Sequence, residues 1–581
     1  MNSIPWRNGA DGRVRALSQS WQAWWLALYI GVLLNGAVFY RRFDQDLSGM
    51  QTPAVLVGAI EVIAVVLLNF VVLRLLSLAG SFCHRVLASL LVLVCVAASY
   101  YMTCFNVVIG YGIVASVLTT DFDLSREVVG LRFVGWIVLL SAGPLWWLWR
   151  ARPGALLSAQ LRCPRQGVRA LTILLLAALL VWLPVRWVHQ GQRAQDAVLN
   201  RDTPSYGGVV AHSYLPANWL AALGLYAYAA LDERRDARAL FDPVEAFTYV
   251  APQGIEETYV VFIVGETARW DHLGLLGYVR DTTPLLAREP NLVAFAGTSC
   301  DTATKLSLRC MFVREGGAKD NAQRTVTERN VFAVLHDLGF SGELFAMQSE
   351  LWFYNKTDVD DFAFREMIAS AEKNQGRAVD DMLLIDELKG SLARHPQGQH
   401  LVILHTKGSH HQYSQRYPRQ FARYQPECAA SDGRCDIQAL INAFDNSILY
   451  TDHFIKQVLD QLRDKRALVF YASDHGESIS DDTHLHGTPR EVAPPEQFRV
   501  PLLVWGSERF LSDKHNADAF ERMRTLARAG TPQQHTDLFD SILGCLGYTS
   551  PDGGIDARNN WCAPKDTVHA AQRRSTTPHV L

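Results

Sequence analysis

Asp474 and His475 stand side by side in Tyr471-Ala-Ser-Asp474-His475-Gly-Glu477, an oxygen donor next to a nitrogen donor. That pairing suits a borderline cation such as Zn2+. The run before it, Arg466-Ala-Leu-Val-Phe-Tyr-Ala, is short, apolar and rich in β-formers, so it predicts a buried strand, with Gly476 permitting a tight exit. Open α/β sheets bind their ligands at such carboxyl ends. Alone, the pair reads more readily as a solvated turn than as a metal site. Three further segments favour the metal: Val264-Gly-Glu266-Thr-Ala-Arg269, Thr406-Lys407-Gly408-Ser409-His410, and His484-Leu-His486-Gly-Thr-Pro489 just downstream of the pair.

A metal that activates a nucleophile needs a hydroxyl or thiol within reach. Cys300-Asp-Thr302-Ala-Thr304-Lys-Leu-Ser307-Leu-Arg-Cys310 supplies three hydroxyls in a loop that a local disulfide would hold. A helix starting near Thr302 would aim backbone N–H groups at a phosphate. Spacing does not choose among Thr302, Thr304 and Ser307.

The elements that would position these groups recur from residue 258 onward as strand, loop, helix. Strands are predicted at 259–264, 342–347, 401–405, 467–471 and 500–505, with helices between them at 380–394 and 437–463. That alternation predicts a mostly parallel sheet with helices on both faces. No internal repeat is present, and the segment beyond Cys562 is polar.

The first third differs. Of the 581 residues 49% are hydrophobic, and the excess lies before about residue 190. Five runs there approach or exceed the roughly 20 residues that cross a bilayer: 22–40, 54–78, 86–106, 131–149 and 168–188. Glu61 and Arg74 lie within the second run; the arginine can snorkel, and the glutamate needs a partner. Arg7, Arg13 and Arg15 precede the first run as a basic flank rather than a cleavable signal. Arg150, Arg152, Arg162, Arg165 and Arg169 gather without an acid between the last two runs, while Asp121, Asp123 and Glu127 follow the third. The basic side is cytoplasmic, so an odd number of spans exports everything after about residue 190. The expected domains are a transmembrane domain at 1–189, a bridging segment at the membrane surface at 190–250, a periplasmic catalytic domain at 251–565 and a tail at 566–581.

The ten cysteines agree with that division. Cys83, Cys95, Cys104 and Cys163 fall in or near the apolar runs, whereas Cys300 with Cys310, Cys428 with Cys435 and Cys545 with Cys562 are closely spaced in the exported part. Such spacing predicts three local disulfides in an oxidising compartment. The net charge of −3 gives no global attraction to nucleic acid, and no nucleic-acid partner is expected.

With these residues assembled, a family resemblance becomes specific. Val264-Gly-Glu266-Thr-Ala-Arg, Asn442-Ala-Phe-Asp-Asn446-Ser-Ile-Leu-Tyr-Thr-Asp452, Ser473-Asp-His-Gly-Glu-Ser478 and Leu485-His-Gly-Thr-Pro489 resemble the lipopolysaccharide phosphoethanolamine transferases, almost end to end. Phe39-Tyr-Arg-Arg-Phe43, Cys300 to Phe312, Met347-Gln-Ser-Glu-Leu-Trp352 and Gly547-Tyr-Thr-Ser-Pro-Asp-Gly-Gly554 look most like the branch that modifies the outer Kdo sugar of Kdo2-lipid A.

The resemblance implies a five-helix membrane domain joined to a periplasmic domain of alkaline phosphatase and sulfatase type, in the Gram-negative inner membrane. It implies zinc held by Glu266, Thr304, Asp474 and His475, a second divalent ion being compatible, with Thr304 as nucleophile. It places His410 and His486 on the substrate side as catalytic and binding residues, matches the family's active-site lysine to Lys356, and puts Asp123 and Glu127 in the donor-lipid loop. The implied reaction carries phosphoethanolamine from phosphatidylethanolamine to a covalent threonine intermediate and on to lipopolysaccharide, releasing diacylglycerol, in a monomer. Added ammonium groups would weaken the binding of cationic antimicrobial peptides. The alternatives are transfer to lipid A phosphate or another periplasmic glycan, and a membrane-anchored sulfatase-like phosphodiesterase. The chain departs from the family at Ser409-His410-His411-Gln, where Ser-His-Gly-Pro is usual, and at Arg309, where a proline is usual.

Overall fold

The computed structural model describes residues 21–41, 54–119, 129–150, 156–198, 213–236, 240–319, 321, 323–429, 435–479, 484–490 and 493–564. The chain divides into two compact units, one made of 1–114 and 128–225, the other of 115–127 and 226–581.

In the first unit, α1 (Trp21–Leu33) and α2 (Gly36–Arg41) come from a single apolar run. The break between them has a local cause. Asn35 turns its amide back onto the Ile30 and Gly31 carbonyls at 3.0 and 3.3 Å, competing with the helical ladder, and Tyr29–Leu33 widens to a π-helical turn. Among the described residues, four helices are long and apolar enough to cross a membrane. They are α3 (Gly58–Ala79), α4 (Ser81–Cys104), α5 (Leu131–Arg150) and α6 (Pro164–Val198), the last by its stretch Pro164–Leu183.

Buried polar groups in this unit converge on one turn. Asn35 and Asn69 donate to the Leu215 carbonyl at 3.2 and 3.1 Å, Asn35 accepts from the Leu215 N–H, and Tyr214 donates to Glu61. The acid predicted to need a partner has one. The next helix, α7 (Ala217–Asp236), has its first half in this unit and its second half in the other.

The second unit is built on an eight-stranded sheet. Its strands are β1 (Thr258–Gly265), β2 (Leu292–Thr298), β3 (Ser341–Ala346), β4 (Asp361–Ala363), β5 (His400–His405), β6 (Arg466–Ser473), β9 (Arg499–Gly506) and β10 (Gln533–Gln534); β7 (Ser478–Ile479) and β8 (His484–Leu485) form a separate hairpin. The order is β10-β2-β9-β6-β1-β5-β3-β4, parallel except for β9, which runs antiparallel to both β2 and β6.

The central strand β1 is apolar at every core position because both its faces are covered. Val260, Phe262 and Val264 pack on one side with Leu308 of α8 (Thr304–Cys310), Val331 of α9 (Val331–Asp337), Met523 and Phe539. Val261 and Ile263 pack on the other with Leu384 of α10 (Leu383–Arg394) and Phe454 of α11 (Ile437–Leu462). The mostly parallel sheet with helices on both faces is the expected architecture. Side chains fix the starts of α9, capped by Asn330, and α11, capped by Asp436, among others. All three predicted disulfides form.

Gly476, the exit from β6, admits no side chain. A Cβ there would run into the Glu496 carbonyl and lie 2.9 Å from the Arg499 carbonyl, both backbone groups that cannot swing aside. Gly476→Ala is expected to lower stability by about 1–3 kcal/mol. The thermal unfolding midpoint of the full chain is the measurement, and an unchanged midpoint contradicts the close approach.

Candidate active site

Three parallel strands, β6, β1 and β5, end side by side, and their carboxyl ends carry the predicted groups. Val264 pairs with Ala472 and with His405, so Glu266 and Asp474 leave the sheet from neighbouring positions. Between them Thr267 adopts φ +64°, a left-handed conformation that costs a β-branched residue energy. That turn directs the Thr267 N–H to Asp474 Oδ1 at 3.2 Å, where the His475 N–H also donates at 2.8 Å.

Asp474 Oδ2 is buried without a hydrogen-bond partner among the described residues and lies 3.3 Å from His475 Nε2. His475 Nδ1 faces the Gly476 carbonyl at 2.9 Å, which places the N–H there and turns the Nε2 lone pair inward. Nε2 lies 3.2 Å from Thr304 Oγ1 and 3.5 Å from Glu266 Oε1. Glu266 Oε2 accepts from Thr304 Oγ1 at 3.3 Å and from Gln348 Nε2 at 2.7 Å, while Thr267 Oγ1 donates to Oε1.

Of the three hydroxyls that spacing left open, Thr302 Oγ1 is spent on the Thr488 carbonyl at 2.6 Å and Ser307 Oγ on the Asp301 carbonyl at 3.1 Å. Thr304 alone of the three faces the acid and imidazole groups.

Two buried carboxyls this close work against each other. Burial first, and the Asp474 charge second, raise the Glu266 carboxyl well above its ordinary range, and burial pushes Asp474 up to about 6. Burial holds His475 neutral. An orphaned carboxylate oxygen, a second buried carboxylate, an imidazole lone pair and a hydroxyl around one point fit a divalent cation, which removes the repulsion.

The His486 ring lies tilted against that of His475, ring centroids 4.2 Å apart, and its Nδ1 lies 3.4 Å from Glu477 Oε2. Glu266, His475 and His486 offer ligand atoms within 4.8 Å of one another, so His486, expected on the substrate side, is within metal reach. Burial opposes its charge, but Glu477 and then Asp474 outweigh that and raise its pKa. His410 lies further out, its ring 5.9 Å from that of His486, with Nδ1 buried and unpaired among the described residues. Burial, then the Arg416 charge, lowers its pKa well below the ordinary value.

The structure does not gather every expected residue. Lys356 makes no side-chain contact with this cluster among the described residues and lies instead in electrostatic reach of Glu233 and Arg309. Asp123 and Glu127 lie outside the described residues. A second group, Glu343, His395 and His400, also offers ligand atoms within 4.8 Å. Its atoms are committed, because Arg394 grips both Glu343 oxygens and Ser341 and Ser391 occupy the two nitrogens of His400.

Three contributors were not predicted as site residues. Gln348 orients Glu266, and its position just past β3 was the available signal. Asp381 accepts the Lys407 and Gly408 N–H groups at 2.7 and 2.9 Å and so shapes the His410 loop; nothing local in the sequence marks it. Glu477 backs His486 from within the Asp-His-Gly-Glu run.

Residues 258–548 match the sulfatase family model, and residues 65–227 match the model described as phosphoethanolamine transferase EptA/EptB. The chain belongs to the phosphoethanolamine transferases, membrane enzymes with a sulfatase-type catalytic domain. It is 56% identical over 558 residues to the Kdo(2)-lipid A phosphoethanolamine 7''-transferase of Escherichia coli (strain K12), covering 96% of this chain and 99% of the relative. The transferase of the same name from Salmonella typhimurium is 55% identical over 560 residues, covering 96% of this chain and all of the relative. Among solved structures, the integral membrane lipooligosaccharide phosphoethanolamine transferase A of Neisseria meningitidis superposes with a TM-score of 0.77 at 25% identity, over 95% of this chain and 98% of that one.

Proposed function

We propose that this chain transfers phosphoethanolamine from phosphatidylethanolamine to the outer Kdo sugar of Kdo2-lipid A through Thr304, releasing diacylglycerol. The observation that carries the mechanism is the position of Thr304 Oγ1, within 3.3 Å of Glu266 Oε2 and 3.2 Å of His475 Nε2 while its neighbouring hydroxyls serve backbone carbonyls. The acceptor rests on the identity with two transferases whose names specify it, across nearly their whole lengths.

In this reading Glu266, Thr304, Asp474 and His475 hold a divalent ion, zinc by their mixed oxygen and nitrogen donors. When bound, it acts as a Lewis acid that favours the alkoxide of Thr304 and offsets charge on the phosphate. Thr304 Oγ forms a bond to phosphorus as the bond to the diacylglycerol oxygen breaks, and that oxygen takes a proton. In the second half the Kdo hydroxyl bonds to phosphorus, the bond to Thr304 Oγ breaks and the threonine hydroxyl is restored. His486, with Glu477 beside it, carries the proton at Nε2. His410 turns its unpaired Nδ1 to a phosphate oxygen.

The same proposal sets the chain as a monomer in the Gram-negative inner membrane, N-terminus cytoplasmic and catalytic unit periplasmic, with the domain limits at 189, 250 and 565. Lys356, Asp123 and Glu127 then serve substrate binding. The arginine-rich loop between the last two spans and the three disulfides of the exported part support that orientation.

Mass spectrometry of lipopolysaccharide fragments from cells with and without the protein tests the acceptor. One added phosphoethanolamine on the outer Kdo is expected. Its appearance on a lipid A phosphate, with Kdo untouched, contradicts the acceptor and spares the chemistry.

A further inference from the structure

We propose that Lys305 and Arg309 form a subsite beside Thr304 that binds the carboxylate of the acidic acceptor sugar, walled by the rings of Trp352 and Tyr226. The inference rests on the acceptor reading above and adds the residues that recognise it. Lys305 and Arg309 stand four apart on α8 and therefore share one face. They are only 4% and 2% exposed. Charged groups so deeply placed are ordinarily paired.

The pairing here is incomplete. Arg309 forms an ion pair with Glu233 and donates to the Gln323 carbonyl at 3.1 Å, but its Nε has no partner among the described residues. The Lys305 ammonium makes no hydrogen bond or ion pair among the described residues; it faces the rings of Tyr226 at 5.4 Å and Trp352 at 5.8 Å. Arg309 lies over the same tryptophan at 4.8 Å. The one other acid nearby among the described residues, Glu350, accepts from Trp352 Nε1. With Lys356 in reach of Glu233 and Arg309, three cations here meet two carboxylates among the described residues, Glu233 and Glu350. One positive charge is left for a ligand.

Two further facts say which ligand. Around the helix, residues one and five positions after Thr304 are rotated by about 100° and about 140° from it. The subsite is thus displaced from the phosphorus that Thr304 attacks, and suits a remote anionic group. It is also close by, since Gln348, which binds Glu266, begins the segment that carries Glu350 and Trp352. A half-buried aromatic ring beside unpaired positive charge is the recognition surface of an acidic sugar, whose C–H face packs on the ring and whose carboxylate meets the cation. Kdo carries such a carboxylate next to the ring.

The test uses the full chain in detergent with phosphatidylethanolamine, comparing Kdo2-lipid A with the same acceptor whose Kdo carboxyls are converted to methyl amides. Lys305→Met keeps the buried stem and removes the charge; Lys305→Arg keeps the charge. We expect Lys305→Met to raise the KM for Kdo2-lipid A by about tenfold or more. Wild type should show the same penalty on the amidated acceptor, Lys305→Met should add little to it, and Lys305→Arg should recover most of the affinity. Diacylglycerol release without acceptor isolates the donor step. If Lys305→Met slows that step as much as transfer, the site serves the donor phosphate and the inference fails. It fails equally if wild type uses both acceptors with one KM, a result independent of how well any variant folds. Wild type that modifies neither acceptor overturns the acceptor reading itself.

Discussion

Thr304→Ala is expected to abolish transfer, lowering turnover by at least about four orders of magnitude, and to abolish the release of diacylglycerol in the absence of acceptor. Both halves of the reaction pass through this one oxygen, so no acceptor concentration rescues it. The variant should fold, because the methyl group of alanine leaves α8, its buried Leu306 and the core packing of Leu308 untouched. It should also keep most of its metal affinity, since Glu266, Asp474 and His475 remain. Thr304→Ser retains the hydroxyl and should retain measurable transfer. Diacylglycerol release measured on the purified full chain, beside metal content, separates these outcomes. Transfer by Thr304→Ala at a tenth of the wild-type rate or more would move the nucleophile elsewhere.

Asp474→Asn carries the second large effect, and its sign depends on the metal. Without metal, Asp474 and Glu266 repel in a buried site, and burial has pushed Asp474 up to about 6. A carboxyl whose folded pKa exceeds its unfolded value destabilises the fold above that folded pKa, and the penalty disappears as pH falls toward the unfolded value. Asn removes the charge, so the metal-free variant should melt higher than metal-free wild type at pH 7. With zinc the order reverses, because wild type gains the binding free energy and the variant loses a ligand. Affinity should fall about 100-fold or more. In wild type, apparent metal affinity should decline about tenfold per proton and pH unit below about pH 6, where Asp474 takes a proton in the free site. Thermal unfolding with chelator and with zinc, at pH 5 and pH 7, reads all of this. A metal-free variant less stable than metal-free wild type at pH 7 contradicts the repulsion.

The parts legible in sequence are those that a short local pattern encodes. Apolar β-rich runs ending in Gly265-Glu266 and Asp474-His475 announced both the strands and their ligands, because a strand buried on both faces leaves an unmistakable run and its end must turn polar. The long apolar runs and the paired cysteines were equally local. Strand β2 was missed: in Leu-Val-Ala-Phe-Ala-Gly-Thr only alternate residues are buried, and small residues dilute the signal. The reversal of β9 was not legible, since the direction of a strand depends on where the chain enters the sheet. The choice of Thr304 over Thr302 and Ser307 came from the family resemblance, and its physical reason lies in carbonyls of Thr488 and Asp301, one of them 186 residues away. The reach of His486 toward His475 depends on a comparable long-range tie, the Gly487 N–H on the Thr302 carbonyl at 2.7 Å. Lys305 reads in sequence as an ordinary helical lysine; only its burial under Tyr226 and Trp352 makes it unusual.

The central claim is that the phosphoethanolamine group resides on Thr304 between the two halves of the reaction. The direct measurement is peptide-resolved mass spectrometry of the full chain after incubation with phosphatidylethanolamine and zinc, with no acceptor present. One phosphoethanolamine on Thr304, discharged when Kdo2-lipid A is added, is the predicted result. Stoichiometric diacylglycerol release with Thr304 unmodified, or the adduct on another residue that discharges at the turnover rate, would contradict it.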